Sequence, residues 1–430
     1  MRCSQFVFAL ISFNFFTPTL FAAESGKPLT LEMALAAVES AHPDLLASQA
    51  ERDTALADQG IAESRLDASI NLEGILRSGK PTNGNHDFTS DNSIRLTARK
   101  TIFDFGRTGA AELAAKSEVS AREADLISLR DQRSMEIMGR YFDVLIADMQ
   151  FVSDNEFMAV AYVSFDQARD RLALGQIAKV DLAELESRYQ DVLVKRNASE
   201  QRQRITRALL ANAMNRPGEL PGDLEDPQLL HNNIALPEYE PLLPVMLANN
   251  PRLRAHQEML AASQKRLESL RAERGPVLDA EVQAADYSRS AVTRDNLSAG
   301  LILSWPLYQG NRVDARIARE QAQFHKLQAG ADKLKMELTQ ALLETYLEIG
   351  QLQRAGRSAA KKQIEYRDLA LEKSRGQYEV ELKTNLGTSM AETVEANLRS
   401  RRNEYRLALA LVRVEALLGK PLEQQVKMKH

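Results

Sequence analysis

The sequence predicts a mainly α protein with a membrane β component, built as a tandem repeat of long helical hairpins and two β-hairpins. Three observations predict this fold class. Landmark residues in the two halves recur at a nearly constant spacing. Each half contains two alternating apolar runs with the length of membrane strands. Each pair of runs is followed by a proline-free stretch rich in Ala, Glu, Arg, Leu and Gln, a composition typical of long helices.

The repeat divides the chain. We predict a first copy at residues 29–217, a proline-rich connector at 218–241, a second copy at 242–421 and a tail at 422–430. Four pairs of corresponding residues have spacings that agree within four residues, which chance would not readily produce. The spacing is 208 for Pro43 and Pro251, 205 for Phe103 with Tyr308 and for Tyr141 with Tyr346, and 204 for Pro217 with Pro421.

The N-terminus predicts export. Residues 1–23 contain Arg2, an apolar run at 6–16 and small residues at 22–23, the pattern of a secretory signal peptide. Removing this segment also removes Cys3, the only cysteine, so we expect no disulfide. The net charge of −4 gives no reason to expect nucleic-acid binding. No second apolar run reaches the length of a membrane-spanning helix, which leaves strands or surface attachment as membrane contacts.

Each copy changes its hydrophobic period in the same order. The first copy predicts a helix at 31–66 with Thr30 as N-cap, a β-hairpin at 68–103 and a long helical hairpin at 108–215. The second copy predicts a helix at 251–273, a β-hairpin at 277–306 and a helical hairpin at 313–418. The connector is either a flexible linker or a packed strap, and its many apolar residues favour the strap.

Both β-hairpins have one apolar and one polar face. Ile70, Leu72 and Leu301 alternate with polar residues such as Asn71 and Arg95. A half-buried sheet of a soluble sandwich would show the same alternation, but the chain has no other strands to form a second layer. Four strands cannot close a barrel and an open sheet edge is not viable in lipid, so several chains must pool their strands.

The helical arms have an unusual length and a heptad pattern. A helix of about 65 residues is close to 100 Å long, which no compact domain requires. Residues 173–182 and 379–388 contain glycine and predict a turn at the middle of each arm. Small residues recur at sevens in both copies and suit close packing of long helices. These residues are Ala110, Ser117 and Ala124, and Ala315, Ala322 and Ala329.

The order of these elements, repeated twice, resembles that of the TolC-like family of outer-membrane efflux and secretion ducts. The resemblance covers nearly all of the chain after the signal peptide. It rests on "SWPLYQGNR" (304–312) at a strand-to-helix junction, and on "ALGQIAKVDLAELES" and "QYEVELKTNLGTSMAET" at the two hairpin tips. It implies a homotrimer with one twelve-stranded barrel that continues into an α-helical tunnel. The expected location is the outer membrane of a Gram-negative cell, with the tunnel extending into the periplasm.

The resemblance assigns residues to the barrel-to-helix junctions. Trp305 would lie at the lipid–water interface, where an indole is favoured. Pro306 lacks an N–H and would end the strand ladder, and Gly310 would let the chain turn into the helix. A Trp-Pro turn within a protein core is the alternative. The junction residues are Phe103, Asp104 and Gly106 in the first copy and Trp305, Pro306, Tyr308 and Gly310 in the second.

The resemblance also places a gate and an adaptor-docking site at the hairpin tips. Asp181 paired with Tyr378, and Lys383 paired with a neighbouring hairpin, are expected to hold the shut state. Gly387 and Met390 stand where well-known relatives carry two acidic residues, and Glu381 stands where the usual glycine would be. Either the acidic ring is lost or the register of this tip is shifted, so cation block at such a ring is not assumed. The tip residues are Gly175, Lys179, Val180, Asp181, Tyr378, Glu381, Lys383, Gly387 and Met390.

No motif predicts an enzyme. The six histidines show no metal-ligand spacing, and the chain has no nucleophile elbow, zinc motif or phosphate loop. We therefore expect no catalytic residues, metal or cofactor. The expected partners are outer-membrane lipid, a periplasmic adaptor and an inner-membrane pump, either proton-driven or an ABC transporter. Drug efflux and type I protein secretion share this architecture, and an envelope-tethered coiled-coil protein without a channel is the competing structural alternative.

Overall fold

The computed structural model describes residues 28–40, 42–80, 87–289, 294–379 and 386–422. The predicted signal peptide, residues 423–430 of the predicted tail, and the predicted tip residues Glu381 and Lys383 lie outside these ranges. The described residues are mostly helical with a few strands, which confirms the predicted mainly α fold class. None of the described helices has an apolar stretch that could cross a lipid bilayer.

The first helical segment is broken, although the sequence predicted one helix at 31–66. Helix α1 (Leu31–Ala36) begins after Thr30, whose hydroxyl accepts the Met33 N–H at 3.2 Å. Helix α2 (Pro43–Glu63) starts anew after the extended residue His42. Proline disfavours the helical conformation in the residue before it and is favoured at the first position of a helix. The prediction of one continuous helix is therefore wrong at Pro43.

The strands form one antiparallel four-stranded sheet in the order β1-β4-β5-β6, and β2 pairs separately with β3. The two hairpins of the sequence are thus joined side by side, with β4 of the first paired to β5 of the second. The strands are β1 (Ser69–Ile75), β2 (Ser78–Gly79), β3 (Thr89–Ser90), β4 (Ser93–Phe103), β5 (Val277–Tyr287) and β6 (Leu297–Ser304). Strands β1 and β6 are left as open edges of this sheet.

Four helices continue the four strands in the same lateral order. Helix α2 leads into β1, and β4 leads into α3 (Arg107–Ala173). Helix α6 (Pro251–Ala272) leads into β5, and β6 leads into α7 (Arg312–Gln351). Helix α2 packs on α3, α3 on α6, and α6 on α7. The remaining α-helices are α4 (Lys179–Ala213), α5 (Tyr239–Asn249), α8 (Arg357–Glu379) and α9 (Leu386–Leu418).

Two pairs of helices meet end to end and extend this layer. The buried Arg133 guanidinium donates to the carbonyl of Ala213 at the end of α4 and lies 3.7 Å from Asp44 at the start of α2. The Asn250 amide donates to the Leu417 carbonyl at 2.9 Å, joining the start of α6 to the end of α9. The chain therefore forms four helical columns, namely α2 with α4, α3 alone, α6 with α9, and α7 with α8.

The core lies where these helix ends meet. One cluster is built around Ile137, Tyr141, Phe142, Leu210 and Tyr405, with the Phe142 and Tyr405 rings stacked at 4.6 Å. A second cluster joins α5, α7 and α9. Its fully buried members include Leu242, Met246, Leu342, Ile349, Leu407, Leu411, Val414 and Leu418.

The connector is packed against this core. Its residues 218–238, called the strap below, make a parallel bridge from Leu224 to Leu29. The Tyr405 hydroxyl donates to Asp226 at 2.8 Å, and the Asn232 amide donates to the Glu404 carboxylate at 2.8 Å. Contacts of this kind belong to a packed strap rather than to a free linker.

Helix α5 begins inside the proline-rich connector, although proline normally stops a helix. Pro241 lies in its first turn, where a backbone N–H has no helical partner. Pro244 does remove a helical hydrogen bond. Burial of Leu242 and Met246 in the second core cluster offsets that loss, so tertiary packing overrides the local signal here.

Candidate channel junctions and periplasmic tips

The first junction is a two-residue left-handed turn. Strand β4 ends at Phe103, and Phe105 and Gly106 follow with φ of 55° and 82°. The buried Asp104 carboxylate accepts the Thr108 N–H at 2.8 Å and so caps the start of α3. Phe103 packs edge-on against Phe105 at 4.7 Å. The three residues predicted here therefore end the strand, cap the helix and make the turn.

The second junction makes a similar turn with different residues. Strand β6 ends at Ser304, and Trp305 is exposed while its indole N–H donates to the Arg274 carbonyl at 3.3 Å. Pro306 follows the ladder, and Tyr308 is 88% exposed. Gly310 has φ of 64°, a conformation that favours glycine. An exposed indole with its N–H satisfied differs from the core Trp-Pro turn that was the alternative.

A partly buried carboxylate, which the sequence analysis did not identify, links the two junctions. The Glu273 side chain lies 3.3 Å from Arg107 at the start of α3 and 2.7 Å from Arg316 on α7. The Ser269 hydroxyl donates to the Arg107 carbonyl at 2.8 Å. The partners of Glu273 are 166 and 43 residues away, so no local spacing could have revealed this cluster.

The polar face of the sheet carries ordered charge pairs. Glu73 lies opposite Arg95 and Arg99 lies opposite Glu281, with the Arg99 Nε donating to Glu281 at 2.9 Å. The Thr101 hydroxyl donates to Asp279 at 2.7 Å in the same row. The other face exposes large apolar side chains in the single chain. They include Ile70, Leu72, Ile94, Leu96, Leu297, Leu301 and Leu303.

The tip of the first helical hairpin is a capped turn. Helix α3 ends at Ala173, and Gly175 has φ of 71° as the chain turns. Lys179 begins α4 and Val180 is 72% exposed. The Asp181 carboxylate accepts the Ala178 N–H of its own turn at 3.0 Å. Asp181 therefore has a local capping role besides any contact with another chain.

The second tip is described on both sides of its turn. Tyr378 is exposed near the end of α8, and Met390 is exposed on the first turns of α9. A Cβ at Gly387 would lie 2.8 Å from Val160 of α3, so this position faces the neighbouring helix. The Ser374 and Ser389 hydroxyls form a buried hydrogen bond of 2.7 Å between α8 and α9.

The end of α3 lies well beyond the start of α9. Helix α3 continues from Val160 to Ala173, which corresponds to about 20 Å at the α-helical rise of about 1.5 Å per residue. The first tip therefore extends past the contact between Val160 and Gly387.

Within the described residues, no group of three His, Cys, Asp or Glu side chains forms a metal site.

Comparison with solved structures shows the fold. The Vibrio cholerae outer membrane protein VceC matches with a TM-score of 0.73 at 16% identity, covering 91% of this chain and 96% of VceC. The Campylobacter jejuni CmeC outer membrane channel matches with a TM-score of 0.74 at 13% identity, covering 100% of this chain and 97% of CmeC. The open state of the Neisseria gonorrhoeae MtrE outer membrane channel matches with a TM-score of 0.70 at 17% identity, covering 91% of this chain and 89% of MtrE.

Comparison with protein-family models matches one copy of the repeat. No curated protein sequence matches this chain. Residues 242–420 match the family model described as outer membrane efflux protein, and they coincide with the second copy of the repeat. The first copy builds the same succession of strand, junction and helical hairpin around the shared sheet. The second copy therefore matches the outer membrane efflux protein family, in agreement with the resemblance seen in the sequence, and the whole chain has the fold of outer membrane channels.

Proposed function

We propose that the protein is the exit duct of a tripartite efflux or type I secretion system. It would carry substrates from an inner-membrane pump and a periplasmic adaptor across the periplasm and the outer membrane. The observation that carries the proposal is the four-stranded sheet with two open edges, one apolar face and one charged face, continued strand by strand into helical columns.

The open edges support assembly of several chains. Unpaired backbone groups are not tolerated in lipid, and the smallest membrane barrels have about eight strands. Three chains would pool twelve strands above twelve helical columns, with β6 of one chain beside β1 of the next. The family resemblance favours the homotrimer over other numbers.

The small-residue rows also support this assembly. Ala124 in the first row is buried because α3 has neighbours on both sides within the chain. The corresponding residues of α7, an edge column, are exposed in the single chain, namely Ala315, Ala322 and Ala329. A neighbouring α2 packed on this row would repeat the close packing that α3 makes inside the chain.

The first tip is suited to dock an adaptor. Leu174 and Val180 are both more than 70% exposed there, although they are large apolar side chains. No residue of α4 before Ser199 is buried, so the part of α4 next to the tip is largely uncovered in the single chain. An adaptor helix could cover this apolar surface by helix packing.

Conductance and mass measurements test the duct. We expect the full chain, purified in detergent, to have the mass of a trimer by native mass spectrometry and to form ion-conducting pores in planar lipid bilayers. A protein that is released from membranes by carbonate and forms no pores would overturn the proposal in favour of the envelope-tethered coiled coil.

Crosslinking in cells tests the partners. A photo-crosslinking residue at Lys179 should capture an adaptor, and one at the exposed Leu56 on α2 serves as a control far from the tip. Accompanying capture of a proton-driven pump would indicate small-molecule efflux, and capture of an ABC transporter would indicate type I secretion. Equal capture at both positions would refute docking at the tip.

The latch between tips also remains a proposal. We expect Asp181 to contact Tyr378, and Lys383 to contact a neighbouring hairpin, in the shut state. One exposed ion pair is worth less than about 1 kcal/mol, so the latch depends on repetition by symmetry. The double variant Asp181→Ala and Lys383→Ala should raise the conductance of isolated pores. Unchanged conductance would rule out the latch.

A further inference from the structure

One arm of the chain contains a helical irregularity that the other lacks. Between α7 and α8, residues Leu352–Gly356 form a π-helical turn. The corresponding arm in the first copy, α3, is one uninterrupted α-helix of 67 residues. A π-turn holds an extra residue, and π-turns occur frequently at functional sites. The two otherwise similar arms therefore differ at this point.

The π-turn is held from two directions. The Asn403 amide of α9 donates to the Leu352 carbonyl at 3.3 Å. A Cβ on Gly356 would overlap the Asn403 side chain, so only glycine leaves room for this close approach. From the strap, the Ile234 carbonyl accepts the Gln353 amide at 3.0 Å.

An ion pair fixes the first turn of α8 to the same place. The Arg357 guanidinium donates to both Glu404 carboxylate oxygens at 2.7 Å, and Asn232 of the strap donates to the same carboxylate. The paired arginine lowers the pKa of Glu404, so the carboxylate stays charged at neutral pH. Bidentate pairs of this kind fix orientation as well as distance. Gln353 and Arg357 thus attach the helix to the strap on successive turns.

Packing differs sharply on the two sides of the π-turn. Helix α7 buries seven residues, among them Leu342 and Ile349 in the second core cluster. Helix α8 buries only Ser374 among its 23 residues. Within the described chain, α8 packs along its length only on α9. Within its own chain, the segment before the π-turn is therefore fixed in the core, whereas α8 is held mainly by α9 and continues the edge column that would face a neighbouring chain.

We propose that Leu352–Gly356 is the hinge of the second hairpin and that the strap sets its state through Gln353 and Arg357. When a π-turn converts to regular α-helix, its extra residue joins the α-helical register. The helix that follows then rotates by about 100° and shifts by about 1.5 Å. Such a rotation of α8 would move Tyr378 to a different face at the periplasmic tip. This inference rests on the proposed function, because it takes the tip as the gate of the duct.

The test compares variants that release the hinge with one that does not touch it. Gln353→Ala with Arg357→Gln removes both attachments to the strap. Deletion of Ala355 removes the extra residue of the π-turn. Arg399→Gln is the matched control, since Arg399 pairs on the exposed surface with Glu395 one turn away on α9. The single variant Gln353→Ala is the fallback if the double variant does not assemble.

Two readouts follow α8 without relying on conduction. Hydrogen exchange measures the protection of the α8 amides. A spin label at Arg375→Cys, exposed one turn before Tyr378 and outside the proposed latch, measures distances between chains. Cys3 is the only other cysteine and lies in the predicted signal peptide. We expect the double variant to speed α8 exchange by about tenfold and to broaden the distances. The deletion should give one shifted distance, and Arg399→Gln should match the wild type.

The outcomes separate this inference from the proposed function. If the double variant and the Arg399→Gln control show the same α8 exchange and the same Arg375→Cys distances, the hinge is wrong, even if the protein forms pores. If the wild type forms no pores but the variants still move α8, the duct proposal fails while the hinge stands as a conformational property.

Discussion

Replacing Tyr405 with phenylalanine would remove one hydroxyl from the contact between α9 and the strap. The Tyr405 side chain is 1% exposed, and its hydroxyl donates to Asp226 at 2.8 Å. The ring stack with Phe142 does not involve the hydroxyl and should persist. Asp226 keeps its ion pair with Arg401 at 3.0 Å, so the substitution leaves no buried charge unpaired.

The expected cost follows from this geometry. Hydrogen bonds to charged groups contribute about 1.5–3 kcal/mol, and we expect a smaller value, about 1–1.5 kcal/mol, because the Asp226 side chain is 40% exposed and partly solvated. That energy corresponds to about five- to twelvefold faster local opening. The strap bonds most affected are those from Leu29 N–H to the Asp223 carbonyl and from Glu225 N–H to the Leu29 carbonyl, both 2.9 Å.

Hydrogen exchange with mass spectrometry would measure this opening in the assembled protein. Peptides that cover the strap should exchange faster in Tyr405→Phe, while peptides from α3 near its tip should not change. Tyr366→Phe is the control, since Tyr366 lies exposed on α8. Equal strap exchange in both variants would refute the reasoning that the Tyr405 hydroxyl fastens the strap.

Three further predictions concern stability. Burial raises the pKa of Tyr141 to about 12, so the folded state keeps a proton that the unfolded state loses near pH 10. The stabilisation is complete below pH 10 and is lost as the pH rises through 12, and thermal unfolding of Tyr141→Phe should depend less steeply on pH in that window. Gly310→Ala should lower stability by about 1 kcal/mol because φ is 64°, whereas Gly109→Ala, inside α3 and with no atom near its Cβ, should raise it by about 0.5–1 kcal/mol. Thermal melts with the same sign for both glycines would contradict this. Leu411→Ala, at 0% exposure, should cost about 2–5 kcal/mol in denaturant unfolding, and a loss below 1 kcal/mol would mean that the core there is not tightly packed.

The local signals of the sequence indicated where the backbone turns between strand and helix and at the end of the first helical hairpin. Gly106, Gly175 and Gly310 all have positive φ, the conformation for which glycine is favoured. Alternation of apolar and polar residues predicted the strand faces, because side chains in a strand point to opposite sides with a period of two. Pro43 also carried a signal for the helix break, which the helical pattern on either side obscured.

The sequence by itself determined the repeat, the order of elements, the turns and the family resemblance, since each depends on residue spacing or local backbone preference. Only the tertiary structure decided which residues meet across the repeats. It placed Glu273 between Arg107 and Arg316, attached the strap to Tyr405, and made a helix of a proline-rich segment. These contacts join residues far apart in the chain, and no periodic pattern encodes such a pairing. The π-turn belongs to this second group, because its geometry depends on the contacts that Asn403 and the strap make with its residues.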